Sequence, residues 1–145
     1  MTEEKIHIFY TDDDKDDIAI FQDAVEEADK GIKLIANFDG GDLIHLLKNP
    51  PPSPAMVFLD WNMPGKNGEE VLAEIRATES LRNIPILIFS TSSNSDNIEA
   101  ARKNGANMYI TKPNSFQDIV QIIRHCLKID WKNFSDPERF VYRPN

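Results

Sequence analysis

One stretch of sequence decides the fold of this chain: residues 55–65, which read AMVFLDWNMPG. The first five residues are all apolar, as is typical of a β-strand that is buried on both faces. A carboxylate, Asp60, follows directly, and the chain must then turn, because Pro64 biases Met63 away from the helical region. The stretch therefore predicts a buried strand that ends in an acidic residue at the carboxyl edge of a parallel sheet, where open α/β folds bind ligands.

The rest of the chain alternates between short apolar runs and helical patterns. Runs rich in β-branched and aromatic residues predict further strands at 6–10, 32–36, 84–89 and 108–110. Between these runs, and after the last of them, apolar residues recur at helical spacing. Five βα units in sequence predict a doubly wound α/β fold, in which a five-stranded parallel sheet carries helices on both faces.

Single residues mark three helix ends in this pattern. Asn67 precedes an acidic turn and is the predicted N-cap of the third helix. Gly31 and Gly105 are predicted to end the first and fourth helices.

Composition and charge exclude several classes of protein. At 145 residues the chain is most simply one domain, and its net charge of −8 disfavours attraction to nucleic acid or to an anionic membrane. The first residues lack the apolar core of a signal peptide, and no apolar run approaches the roughly 18 residues of a membrane span. The single cysteine, Cys126, excludes an internal disulfide. These features predict a cytoplasmic protein that binds neither nucleic acid nor membrane directly.

A run of three carboxylates, Asp12, Asp13 and Asp14, follows the first strand and precedes the first helix. The helix dipole explains acidic residues at such a place, since it favours each by roughly 0.3–1 kcal/mol, and that explanation is sufficient for Asp16 and Asp17. Asp12 and Asp13 lie nearer the strand end, where a cation is the simplest way to hold adjacent like charges together. Oxygen ligands with few protein donors suit Mg²⁺, so the hypothesis for this pair is a magnesium site.

The other strand ends supply groups that act on phosphate. A carboxylate such as Asp60 can attack phosphorus to form an acyl phosphate, and Asp60 faces Asp13 if the first and third strands are neighbours. Phosphoryl transfer also needs hydrogen-bond donors and positive charge at the phosphoryl oxygens. Ser90 supplies a hydroxyl after the fourth strand, and Lys112 supplies an ammonium after the fifth. Thr91 is the alternative hydroxyl, but strand alternation points it to the other side.

In their order and spacing these residues resemble the receiver domains of two-component response regulators, of the single-domain chemotaxis type. The likeness covers about residues 5–129. It rests on the acid pair, the D-x-x-M-P-G-x-x-G segment from Asp60 to Gly68, the strand-end hydroxyl and the Lys112-Pro113 pair. The resemblance implies a flavodoxin-like (βα)5 fold with strand order 2-1-3-4-5, an order that the sequence pattern alone does not determine.

The resemblance also implies a metal and an acceptor. Asp60 is the implied phospho-acceptor. Mg²⁺ is the implied cofactor, with Asp12, Asp13 and Asp60 as ligands and the backbone carbonyl of Asn62 as a further ligand.

Three further residues gain roles from the resemblance. Ser90 is the implied switch hydroxyl, and Lys112 is the implied phosphate-contacting cation, which this family usually aims inward through a cis peptide before the proline. Tyr109 occupies the aromatic switch position, although a half-buried strand tyrosine explains it equally well. Thr11 stands where the family more often has an apolar or small residue, a departure that should not alter the chemistry.

Residues 130–145 form an extension beyond the receiver domain at 1–129. The extension contains charged residues, two prolines and four aromatic residues. The aromatic residues are Trp131, Phe134, Phe140 and Tyr142. They argue against simple disorder and predict packing either against the domain or at an interface between two copies of the chain. The extension resembles that of single-domain regulators that partner bacterial phytochrome-type kinases, in which it helps to form a dimer.

The sequence therefore predicts a response regulator of two-component signal transduction, which is a phospho-acceptor and not an enzyme with several substrates. A sensor histidine kinase or a phosphotransfer protein would donate the phosphoryl group, and a downstream protein target would bind the switched surface. The alternative is a receiver-shaped interaction module that works without phosphorylation. A phosphohydrolase is disfavoured because Asn62 stands in place of its general acid. A flavin carrier is disfavoured because the acidic run would repel the flavin phosphate.

Overall fold

The computed structural model describes residues 6–48 and 56–143. Within them, five strands form one sheet: β1 (Ile6–Thr11), β2 (Ile32–Asn37), β3 (Met56–Leu59), β4 (Ile86–Ser90) and β5 (Met108–Thr111). Five α-helices alternate with the strands: α1 (Lys15–Ala28), α2 (Gly40–Lys48), α3 (Gly68–Ala77), α4 (Ser95–Lys103) and α5 (Phe116–Leu127). All strand pairs are parallel, in the order β2-β1-β3-β4-β5. The predicted fold class and strand order are therefore confirmed.

The sheet lies between two helical layers because its central strands are apolar on both faces. Every residue of β3 and β4 is buried. Helices α2, α3 and α4 cover one face, and α1 and α5 cover the other. On the second face four rings pack together, mostly edge to face, with centroids 4.3–6.0 Å apart: Tyr10, Phe21, Phe58 and Phe89. Each such buried side chain contributes roughly 1.5–3 kcal/mol, so the two cores hold the strand ends rigidly in place.

The helix ends follow local hydrogen bonds. Asn67 caps α3 as predicted, since its side chain accepts from the N–H of Glu70 at 2.9 Å and the Glu70 side chain accepts from the N–H of Asn67 at 3.2 Å. Gly105 adopts φ +95° just after α4, a conformation that favours glycine. Helix α1 ends before Gly31, because Asp29 caps it and accepts a hydrogen bond from the N–H of Gly31 at 2.8 Å.

The C-terminal segment, described as far as residue 143, runs along the free edge of β5. The N–H of Tyr109 donates to the carbonyl of Phe140 at 2.8 Å, and the N–H of Tyr142 donates to the carbonyl of Tyr109 at 2.9 Å. Val141 thereby pairs with Tyr109 in a one-residue parallel bridge. The described part of the segment thus packs against the domain, and its role as an interface between copies stays a prediction.

Replacing Phe140 with alanine should loosen this segment and destabilise the protein. The Phe140 side chain is buried, and the guanidinium of Arg102 lies 4.5 Å from the centre of its ring. Truncation of a buried phenylalanine typically costs about 3–5 kcal/mol, and we expect about 2–3 kcal/mol because a terminal segment opens locally. Urea unfolding measures the loss. Phe134→Ala, on the same segment but only partly buried, is the matched control, and an equal loss in both variants would contradict the anchoring role of Phe140.

Candidate functional site

The carboxyl ends of β1 and β3 bring three carboxylates together. The strands pair with Thr11 opposite Leu59, so Asp12 and Asp60 follow at the same edge of the sheet. The N–H of Asp60 donates to the carbonyl of Thr11 at 3.0 Å, which fixes the two strand ends against each other. One carboxylate oxygen from each of Asp12, Asp13 and Asp60 lies within 4.8 Å of the other two. The structure thus places the first strand beside the third and gathers the predicted acidic residues.

Burial and repulsion set the electrostatics of Asp60. This residue is only 6% exposed and Asp12 is fully buried, whereas Asp13 is exposed. Burial raises the pKa of the Asp60 carboxyl to about 7, and the charges of Asp12 and Asp13 reinforce the shift. The ammonium of Lys112 and a hydrogen bond from the backbone of Asn62 oppose it. Three carboxylates around one ammonium leave excess negative charge, which a divalent cation with oxygen ligands would balance.

Lys112 is held by carboxylates from two different elements. Its Nζ donates to Oδ2 of Asp12 at 2.7 Å and to Oδ2 of Asp17 at 2.8 Å. The same Nζ lies 4.0 Å from Oδ1 of Asp60, and the backbone N–H of Lys112 donates to the carbonyl of Ser90 at 2.8 Å. Burial acts to lower the pKa of the Lys112 ammonium, but the hydrogen bonds to Asp12 and Asp17, together with the charges of Asp60 and Asp12, outweigh burial and raise it. A charged ammonium therefore stays beside Asp60.

Asp12 is the most firmly fixed carboxylate of the site. Its Oδ2 accepts from the hydroxyl of Tyr10 at 2.7 Å as well as from Lys112, and its Oδ1 accepts from the N–H of Asp14 at 3.0 Å. Burial, and then the charge of Asp12, raise the pKa of the Tyr10 phenol far above its ordinary value, so this phenol keeps its proton and remains a donor. These three hydrogen bonds therefore hold the Asp12 carboxylate in a fixed position at the site.

One expectation drawn from the resemblance is wrong for this structure. The peptide bond between Lys112 and Pro113 is trans, like the other peptide bonds in the described part of the chain. Trans is the lower-energy isomer even before proline. Lys112 reaches the site without a cis bond because its backbone is tied to Ser90 and its ammonium to Asp12 and Asp17.

The predicted switch residues lie on neighbouring strands: Ser90 is the last residue of β4, and Tyr109 is the second residue of β5, where it pairs with Ile88. Ser90 is fully buried, and its Oγ accepts from the N–H of Ser92 at 3.2 Å, whereas Thr91 is exposed. Tyr109 is fully buried rather than half-buried, and its hydroxyl donates to the carbonyl of Ser92 at 2.7 Å. Burial raises the pKa of Tyr109, so the phenol stays protonated and continues to donate. The ring is therefore tied to the β4–α4 loop that Ser90 begins.

The turn after β3 contains the other predicted ligand. Trp61 is 5% exposed, and its carbonyl accepts from the N–H of Gly68 at 3.0 Å, which closes the turn. Asn62 has an exposed side chain, and its backbone donates a hydrogen bond to Asp60. The structure thus places Asn62 beside Asp60, and the role of its carbonyl as a metal ligand stays a prediction.

Asp17 is a site residue that the sequence argument missed. The helix dipole accounts equally for Asp16 and Asp17, yet only Asp17 is paired with Lys112. The helical spacing of the apolar residues could have identified Asp17. It stands four residues before Phe21 and seven before Ala24, both of which are buried. That spacing places Asp17 on the inward face of α1, whereas Asp16 points away.

The fold and the acid cluster together define a class of protein, an α/β fold with a five-stranded parallel sheet and a cluster of three carboxylates at the carboxyl edge of that sheet. A family model described as "Response regulator receiver domain" matches residues 8–124. The response regulator Rcp1 of Synechocystis sp. is 30% identical over 122 residues, which cover 81% of this chain and 83% of that protein. The chain belongs to the response regulator receiver domain family.

Two solved structures support the same assignment. The phosphorylated cyanobacterial phytochrome response regulator RcpA matches with a TM-score of 0.78 at 30% identity, covering 91% of this chain and 97% of that chain. The Mn²⁺-bound form of Rcp1 matches with a TM-score of 0.74 at 28% identity, covering 91% of this chain and 99% of that chain. The protein is therefore similar over most of its length to phytochrome-associated response regulators.

Family membership settles the broad function. The protein is a response regulator of two-component signalling, and it is a phospho-acceptor rather than a conventional enzyme. A response regulator implies a histidine kinase partner. Its acidic triad is typical of a divalent metal site. Across 6–48 and 56–143, no helix combines the length and the apolar character needed to cross a bilayer.

Proposed function

We propose that Asp60 accepts a phosphoryl group from the phosphohistidine of a sensor histidine kinase or a phosphotransfer protein, with Mg²⁺ bound at the acid site. The observation that carries this proposal is the group of three carboxylates within 4.8 Å, with the Lys112 ammonium 4.0 Å from Asp60. Phosphoryl transfer to a carboxylate requires a nucleophilic oxygen, ligands for a cation and a fixed positive charge, and these residues supply all three.

The cation that we assign to Asp12, Asp13 and Asp60 is Mg²⁺, with the carbonyl of Asn62 as a further ligand. The side-chain donors are all oxygens, and Asp13 is exposed, which suits a cation that retains several waters. The Mn²⁺-bound form of Rcp1 supports this choice, because Mn²⁺ favours the same oxygen ligands. When bound, Mg²⁺ neutralises charge on the carboxylates and on the incoming phosphoryl group.

In the transfer step, a carboxylate oxygen of Asp60 bonds to phosphorus while the P–N bond to the donor histidine breaks. The electron pair of that bond returns to the ring nitrogen. Asp60 must be ionised to attack, and with a pKa of about 7 in the cation-free site it is incompletely ionised near neutral pH. Positive charge nearby favours the ionised form, and Lys112 supplies such charge at 4.0 Å.

The phosphorylated state then draws Ser90 and Lys112 toward the new phosphoryl oxygens and biases a pre-existing equilibrium. Support comes from the bonds that join the switch residues: Lys112 to Ser90 through the backbone, and Tyr109 to the loop after Ser90 through its hydroxyl. The surface formed by α4 and β5 is the one that we propose binds the downstream protein target.

The resemblance to RcpA, a phytochrome response regulator, supports a phytochrome-type histidine kinase as the partner. We propose the cytoplasm as the compartment, because phosphohistidine donors made from ATP are found there. A homodimer through the aromatic residues of the C-terminal segment is the proposed assembly. Sedimentation with and without a phosphoryl mimic tests it.

Acetyl phosphate should add one phosphoryl group to the protein, about 80 Da by intact mass, and only when Mg²⁺ is present. Removal of Mg²⁺ with EDTA should abolish the adduct, because the three carboxylates would otherwise repel the anionic donor. Fluoroberyllate, a stable phosphoryl mimic, covers the case of fast hydrolysis, and its binding is followed by the fluorescence of Trp61 in a Trp131→Phe background. Absence of both the adduct and the mimic would contradict the proposal and favour an interaction module that works without phosphorylation.

A further inference from the structure

An ion pair outside the predicted acid triad restrains Lys112. The ammonium donates to two carboxylates, Asp12 at 2.7 Å and Asp17 at 2.8 Å, and its nearest contact with Asp60 is 4.0 Å. The last distance is too long for a hydrogen bond. In the resting protein, therefore, the positive charge that should contact the phosphoryl group is bonded elsewhere.

The two partners of Lys112 differ in how easily they can release it. The Asp12 side chain is 1% exposed, so loss of the ammonium would leave a buried carboxylate with only two neutral donors, the Tyr10 hydroxyl and the N–H of Asp14, and water could not replace the lost charge. The Asp17 side chain is 35% exposed, so water can solvate its carboxylate once the ammonium leaves. Of the two bonds, the one to Asp17 is the one that Lys112 can exchange for a phosphoryl oxygen.

We propose that Asp17 is a positioning residue, which holds Lys112 away from Asp60 in the resting protein and releases it when Asp60 carries a phosphoryl group. This inference rests on the proposed function of Asp60. Because the Asp17–Lys112 pair exists only in the resting arrangement, it stabilises that arrangement. Asp17 thereby sets how strongly the protein binds a phosphoryl group, without touching that group.

Asp16 offers a matched control for the helix dipole and for net charge. Both residues lie in the first turn of α1, and both backbone N–H groups donate to Oδ1 of Asp14. Asp16 is exposed, and within residues 6–48 and 56–143 its side chain makes no ion pair. A difference between Asp17→Asn and Asp16→Asn therefore reports on the contact with Lys112.

The test is a titration with fluoroberyllate at saturating Mg²⁺, followed by Trp61 fluorescence in the Trp131→Phe background. Asp17→Asn should bind the mimic about two- to fivefold more tightly than Asp16→Asn does, the upper part of the range expected for one partly exposed ion pair. Their Mg²⁺ affinities should agree, and Asp17→Glu should return the mimic affinity toward that of the wild type. In a Lys112→Ala background the difference between Asp17→Asn and Asp16→Asn should vanish.

Two results would overturn the inference while leaving the proposed function intact. One is equal mimic affinity in Asp17→Asn and Asp16→Asn, with normal binding by the wild type. The other is a difference that persists after Lys112→Ala, since the effect would then not pass through the ammonium. Failure of the wild type to bind the mimic at all, with Mg²⁺ bound normally, would overturn the proposed function and this inference with it.

Discussion

Asp60→Asn should abolish phosphoryl uptake and, in the absence of a divalent cation, make the protein more stable above neutral pH. The amide cannot form the acyl phosphate, so intact mass after acetyl phosphate and Mg²⁺ should show no adduct. The same substitution removes a buried charge that three features of the site oppose: burial, Asp12 and Asp13. Loss of function should therefore accompany a gain in the free energy of unfolding.

The pH dependence of that gain follows from the raised pKa of Asp60. The carboxyl has a pKa of 3.8 when unperturbed and about 7 in the folded protein, so the folded state binds more protons between these values. Wild-type stability should then fall as the pH rises through this window, by at most about 1.4 kcal/mol per pH unit from this group. Asp60→Asn should flatten the slope, so its advantage should be small near the acid end and largest above pH 7.

Urea unfolding in EDTA at several pH values, for the wild type and Asp60→Asn, measures this effect. Asp13→Asn is the control, because it removes the same charge from the same cluster but from an exposed side chain. We expect Asp13→Asn to weaken Mg²⁺ binding, to retain the adduct at high Mg²⁺ and to alter the pH slope less than Asp60→Asn does. If the free energy of unfolding depended on pH equally in Asp60→Asn and in the wild type, the Asp60 carboxyl of the wild type would have the same pKa in the folded and unfolded states, which would contradict the prediction.

Much of this site could be predicted because strand ends are a property of sequence. The apolar run before Asp60 and the β-rich run before Asp12 each fix where a strand stops, and parallel strands stop at one edge. Ser90 and Lys112 follow by the same rule, and Ser90 could be preferred to Thr91 because side chains alternate along a strand. The strand order could not be predicted from the strand ends, because it depends on how the crossover connections run. Its prediction rests on the family resemblance.

What could not be predicted depends on contacts between elements that are distant in sequence. Asp17 meets Lys112 only because α1 packs beside the start of α5, and a helix-dipole argument treats Asp17 and Asp16 alike. The full burial of Tyr109 depends on the C-terminal segment, whose backbone bonds cover the edge of β5. The peptide bond before Pro113 is trans, whereas the family usually has a cis bond there. The sequence of this loop does not determine which of the two isomers it adopts.

Gly68→Ala should impair both stability and phosphorylation, because the turn after β3 closes directly on this residue. A Cβ at position 68 would lie 2.5 Å from the carbonyl oxygen of Asp60 and 2.7 Å from Cα of Trp61. Both are backbone atoms and cannot move aside by changing rotamer. The turn must therefore shift, which costs about 1–3 kcal/mol in the free energy of unfolding. Because the shifted segment carries Asp60, the rate of phosphorylation by acetyl phosphate should fall about tenfold or more.

Gly41→Ala separates this effect from a general response to losing a glycine. Gly41 lies in α2, where an added Cβ would approach only Oδ1 of Asp39, at 3.4 Å. Alanine there should stabilise the helix by up to about 1 kcal/mol and leave the phosphorylation rate unchanged. Urea unfolding and a time course of intact mass measure both variants. If Gly68→Ala lost stability but kept the wild-type rate, the turn would have shifted without displacing Asp60. The close approach at Gly68 would then serve the packing of α3 and not the geometry of Asp60.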